Sequence, residues 1–134
     1  MIKRLNSAEN WAVWHRSSPS NMLQLNVNDS EGGAGGRFTS SGVASMTSTT
    51  FRVYGDNQTG TSGGTYVAYL FAHDTASDGL IQCGSYTGTA SSVSINLGWQ
   101  PQWLLIKRSD SAEDWSIVDN VRGMGTDPLL TGLK

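Results

Sequence analysis

Few residues in this 134-residue chain could carry out chemistry, and they are scattered along it. The histidines His15 and His73 supply the groups that titrate near neutrality. His73 stands beside Asp74 directly after the apolar run 66–72, an order in which a carboxylate can orient an imidazole for acid–base work or metal binding. No Gly-x-Ser-x-Gly elbow, His-Glu-x-x-His pair or phosphate loop accompanies either histidine. Both read as polar strand ends, His15 because it follows Trp14 at the end of an apolar stretch. Glu113-Asp114 is an adjacent acid pair whose counterpart earlier in the chain is Glu9-Asn10. Glycoside hydrolysis needs two carboxyls held at a fixed separation across a cleft, and neighbours in one turn do not supply that. Asp56-Asn57, and Asn26, Asn28 and Asp29, offer oxygen ligands of the kind calcium takes, but each group brings one carboxylate and neither has EF-hand spacing. The reading is therefore a non-enzyme with no catalytic residue, no metal site and no cofactor.

Aromatic residues are the stronger lead, with five Trp and four Tyr in a small chain. Trp11, Trp103, Trp115, Tyr66 and Tyr69 fall on patterned strands and read as core. Trp14 is out of phase with Trp11 and Val13 and so faces the other side of its strand. Trp99 lies between Gly98 and Pro101 at a strand entry. Trp14 and Trp99 are the candidate platforms for stacking a sugar ring, with Asp56 and Asn57 as polar partners; packing against a neighbouring module is the competing use.

The elements that would position these residues are strands. Only 15% of residues are charged, against roughly 25% in ordinary domains, and Ser, Thr, Gly and Asn take their place. That suits short strands and turns better than amphipathic helices, whose outer faces carry Lys and Glu. A net charge of −2 leaves no electrostatic footprint for nucleic acid or an acidic membrane. No apolar stretch approaches the roughly 18 residues of a membrane helix, so no membrane insertion is expected. Cys83 is the single cysteine and reads as a small buried hydrophobe.

Period-2 alternation marks Leu23-Leu25-Val27, Phe51-Val53, Val93-Ile95-Leu97 and Trp115-Ile117 as half-buried strands. The runs 66–72 and 103–106 are apolar at every position and read as central strands. Gly-, Ser- and Thr-rich stretches at 31–36, 55–64 and 87–92 separate them as loops. The expected fold is all-β, an antiparallel β-sandwich of jelly-roll-like kind with little or no helix, and residues 1–134 form a single module.

One feature is more specific. Residues 2–13 read IKRLNSAENWAV and residues 106–117 read IKRSDSAEDWSI, seven of twelve positions being identical at an offset of 104. Each copy reads as a hairpin in which a strand ends at Ile-Lys-Arg, a polar turn follows, and a strand beginning at Trp returns; hairpin 1–15 is thus duplicated at 103–119. The second copy is preceded by Gly98-Trp99-Gln100-Pro101-Gln102-Trp103-Leu104-Leu105, the first only by Met1. The chain is expected to be out of frame with a repeat of about 104 residues. Residues 103–134 then either open a following module or share one sandwich with the first copy. The apolar run 103–106 favours the shared sandwich.

Several pieces together resemble repeats of tail-fibre and tail-associated proteins of marine bacteriophages: residues 10–15, 22–26, 65–72, 84–88 and 98–108, continuing through Asp114-Trp115 to 119–123. The resemblance implies concanavalin-like jelly-roll modules along an adhesive virion protein, commonly trimeric. It implies location in the phage tail after synthesis in the host cytoplasm. The expected partners are other modules of the same fibre in a homo-oligomer, with contact to host glycans and none to nucleic acid. It carries no active site residue by residue. Binding would fall to the loops 31–36 and 55–64. The alternatives are an independent lectin-like carbohydrate-binding module and a glycan depolymerase domain, the latter opposed by the missing acid pair.

Overall fold

In the computed structural model, which describes residues 1–40, 43, 44, 46–74, 76 and 79–121, the fold is all-β and antiparallel, with no helix among those residues. The chain forms two compact units: Met1–Leu70 with Arg108–Asp114, and Phe71–Lys107 with Trp115–Lys134.

The first unit is built on a five-stranded sheet. Strands β1 (Ile2–Arg4), β2 (Ala12–Val13), β3 (Asn21–Gln24) and β4 (Gly32–Gly33) run as a meander. The chain then makes a separate hairpin from β5 (Thr39–Ser40) and β6 (Val43–Ala44), and returns with β7 (Tyr66–Ala68) on the far side of β1. The order β4-β3-β2-β1-β7 thus carries the long return connection of a Greek key. One face of the sheet presents Ile2, Ala12 and Met22, one residue from each of three neighbouring strands. Ala34 and Phe38 cover them, with Met46, Val53, Trp14 and Tyr66 packed around the edge. The unit is therefore sandwich-like: sheet on one side, Ala34 and Phe38 with Met46 and Val53 on the other. Phe38 is brought down by a tight turn in which the Arg37 and Phe38 N–H groups both donate to the Ala34 carbonyl. Gly36, at φ 78°, makes the bend that a side chain would resist.

The second unit holds strands β8 (Trp103–Ile106) and β9 (Ser116–Asp119), paired antiparallel as a two-stranded sheet. The duplicated motif folds the same way twice. Ile2 pairs with Ala12, and Ile106 pairs with Ser116, which are the same two motif positions 104 residues on. The turns agree as well: Arg4 Nε donates to Asn6 Oδ1 at 2.9 Å, and Arg108 Nε donates to Asp110 Oδ1 at 2.7 Å. That hydrogen bond and the Asp110 charge hold the Arg108 guanidinium above its ordinary range.

Four expected strands differ from the alternation. Phe51-Val53 forms no strand: Phe51 makes an isolated bridge to Met46 and its side chain is exposed. The strand expected over 23–27 begins earlier and ends at Gln24, because side chains take over the pairing. Asn26 Oδ1 accepts the Trp11 N–H at 2.8 Å, its Nδ2 donates to Asn10 Oδ1, and Asn10 Nδ2 reaches Gln24. The run 66–72 forms strand only over Tyr66–Ala68, with a further hydrogen-bonded pair at Tyr69 and Met1, and it is an end strand of its sheet. Tyr69, Leu70 and Phe71 are exposed beyond it. Val93 and Ile95 are also exposed and lie outside any strand. Among the aromatic residues expected in the core, Trp115 is buried and Trp11 and Tyr66 are half-buried. Trp103 and Tyr69 are exposed, although the Tyr69 ring lies 5.9 Å from that of Trp11.

Phe38 should dominate the stability of the first unit. Phe38→Ala is expected to cost about 3–5 kcal/mol, whereas Phe51→Ala, at an exposed position, should cost less than about 1 kcal/mol. Urea midpoints of the two variants compare them directly.

Candidate functional site

The residues proposed from sequence do not converge on one place. Asp56 and Asn57 belong to loop 55–64 in the first unit, which is knitted to its own backbone. Asp56 Oδ1 accepts the Gln58 N–H at 2.8 Å, closing a turn, and the Thr59 and Gly60 N–H groups donate to the Asp56 carbonyl. Arg37 Nε lies 3.2 Å from Asp56 Oδ1, a charge contact without hydrogen-bond alignment. The Asn57 side chain accepts from the Thr61 hydroxyl at 2.9 Å. Tyr66 reaches in from β7: its hydroxyl donates to the Asn57 carbonyl at 3.2 Å and accepts the Thr61 N–H at 3.0 Å. Asn6, in the first hairpin turn, binds the loop's far end, with Nδ2 donating to Gly63 O and Oδ1 accepting the Thr65 N–H. Gly60 passes so near Tyr54 that a Cβ there would lie 2.2 Å from the Tyr54 carbonyl oxygen. Loop 55–64 is thus a fixed display surface, although its glycine content suggested adaptability.

Trp14 stands on the Ala12 side of β2, which is the core side. Its ring packs against the core, and its Nε1 donates to the Pro19 carbonyl at 3.2 Å. Strand period sets Trp14 on the face opposite Val13, but period alone does not say which face the core occupies. Trp99, in the second unit, is half-buried, and its indole N–H is buried without a hydrogen-bond partner among the described residues. A buried unpaired donor carries a desolvation cost of about 1–3 kcal/mol.

Sequence reasoning missed a shallow dimple lined by Val13, His15, Ser18, Asn21, Met22, Leu23 and Glu31. It joins a serine, a histidine and a carboxylate, but in an order unsuited to nucleophilic catalysis. The Ser18 hydroxyl donates directly to Glu31 Oε2, and His15 Nδ1 accepts the Ser17 N–H. His73 Nδ1 likewise accepts a backbone N–H, that of Cys83, at 3.0 Å. Asp74 turns its carboxylate to the Ala76 N–H. Among the described residues no three His, Cys, Asp or Glu side chains gather closely enough to hold a metal ion. No helix among those residues is long and apolar enough to cross a membrane.

Fold and site define an antiparallel all-β domain with a rigid polar loop surface and a duplicated hairpin. The chain belongs to the family described as Domain of unknown function (DUF7483), which it matches over residues 1–127 and hence across both hairpins. Neither the curated proteins nor the solved structures contain a match to it.

Two substitutions test the rigidity of the loop. Tyr66→Phe removes both hydroxyl contacts and should cost about 1–2 kcal/mol, with faster amide exchange at Thr61. Gly60→Ala should cost about 1–3 kcal/mol through overpacking against Tyr54, whereas Gly33→Ala, which meets nothing within 4 Å, should change stability by less than about 1 kcal/mol. Urea unfolding measures all three.

Proposed function

We propose that this chain is a non-enzymatic structural and adhesive module of a phage tail or tail fibre, working alongside like modules and touching host-surface glycans. The observation that carries the reading is the hairpin formed twice in one register, the mark of a unit used repeatedly along a chain. Several stretches resemble tail-fibre repeats, and the loop held by Tyr66 and Asn6 presents Asn57, Ser62 and Thr65 to solvent on a fixed backbone. Pre-ordered polar loops of this sort bind without the cost of ordering on contact. The Asp56 carboxylate serves the turn and Arg37, so this loop supports recognition by hydroxyl and amide groups.

A second reading, an independent lectin-like module, is favoured by Trp99. Its half-buried ring offers one stacking face to a sugar. The core-packed Trp14 favours it less. A glycan depolymerase finds its best acid at Glu31, whose neighbours in the dimple include no second carboxylate.

Incubating the chain with bacterial surface polysaccharides separates the three. The adhesive reading expects retention on the glycan without release of reducing ends, and retention by Trp99→Ala as well. Loss of binding in Trp99→Ala would assign the lectin reading, and steady release of reducing ends would contradict the non-enzymatic one. Sedimentation equilibrium should show a trimer if the chain carries its own assembly contacts.

A further inference from the structure

The first copy of the duplicated hairpin shows what its edges are for. Strand β1 is bonded on one side to β2 and on the other to β7, with Ile2 opposite Ala68, Lys3 opposite Val67 and Arg4 opposite Tyr66. The Leu5 N–H to Thr65 and the Tyr69 N–H to Met1 extend that second ladder at both ends. Strand β8 repeats β1, and the Asn120 N–H to Gln102 shows that even-numbered positions of β8 face β9. The backbone groups of Trp103 and Leu105 therefore point to the opposite edge, which carries no strand among the described residues. An open apolar edge of this kind is a template for another strand.

We propose that the outer edge of β8 accepts a β7-type strand, an extended segment with the pattern of residues 65–71, supplied by another repeat of this family. The register follows from the first copy. Ala68 falls opposite Ile106, which sets Tyr69 against Leu105, Leu70 against Leu104 and Phe71 against Trp103. The exposed residues support this match from both sides. Trp103 is 49% exposed on β8, and Tyr69, Leu70 and Phe71 are 50%, 67% and 43% exposed just past the point where β1 stops. In the first copy Met1 pairs with Tyr69, and Leu70 and Phe71 continue past that pair. The second copy has Trp103-Leu104-Leu105 at those positions. Pairing would bury aromatic and aliphatic side chains directly across from one another, the arrangement that stabilises sheets most.

The test is a register-selective disulfide trap on the full chain. Ile106→Cys is placed in a Cys83→Ser background and mixed, under mild oxidation, with synthetic peptides spanning residues 63–71. One peptide carries Ala68→Cys, directly opposite in the expected register, and the other Val67→Cys, which points to the other face. Capture of the first should be at least roughly tenfold faster than the second, because disulfide exchange depends on access and geometry. Equal rates, or neither captured, would overturn the proposal. So would faster cross-linking of the chain to itself, which would give the edge to a second copy. Should Ile106→Cys not fold, the unsubstituted chain still decides the matter. Its Leu105 amide should exchange roughly tenfold more slowly with the unsubstituted peptide present. An unchanged rate, or protection already complete without peptide, sinks the idea.

Discussion

Strand β1 is bonded along both edges, and the rest of the first unit depends on that. Ile2 meets Ala12 of β2 on one side, all three residues meet β7 on the other, and the Ile2 register fixes both pairings. With Ile2 opposite Ala12, its side chain falls beside Ala12 and Met22 under Phe38. A slip of one residue would turn Ile2 to the opposite face and leave Phe38 over the Lys3 side chain. Burial of Ile2 and Phe38 contributes about 1.5–3 kcal/mol each, so the core penalises such a slip heavily.

The same strand links the core to the polar surface. Arg4 ends β1, and Asn6 follows in the turn and grips Gly63 and Thr65. Across the ladder from Arg4 stands Tyr66, whose hydroxyl ties together Asn57 and Thr61. Loop 55–64 is therefore anchored at both flanks by residues whose positions the sheet register sets. A surface held in this way keeps a fixed shape and hydrogen-bond pattern.

Much of this was legible in the sequence for physical reasons. The duplicated Ile-Lys-Arg…Trp motif implied two hairpins, and a shared register follows because turn length and the Arg–Asn or Arg–Asp contact are local. Fold class was legible from turn residues and alternation. What escaped was whatever depended on a distant partner. The run 66–72 looked central because every residue is apolar, yet its strand lies at the end of the sheet and pairs on one side with β1. Val93-Ile95-Leu97 alternates well, but alternation marks an apolar face and not what buries it. Loop 55–64 looked pliable from its glycines, while the groups that stiffen it, Tyr66 and Asn6, come from other elements. The phase of Trp14 was right, but one strand cannot show on which side the core lies.

One sequence motif makes one hairpin twice, in one register. Solution NMR tests it most directly through amide–amide contacts across hydrogen-bonded pairs. Cross-peaks between Ile2 and Ala12 and between Ile106 and Ser116 are the predicted result. A second hairpin whose cross-peaks are displaced by even one residue, such as Ile106 with Trp115 or Ile117, would contradict it.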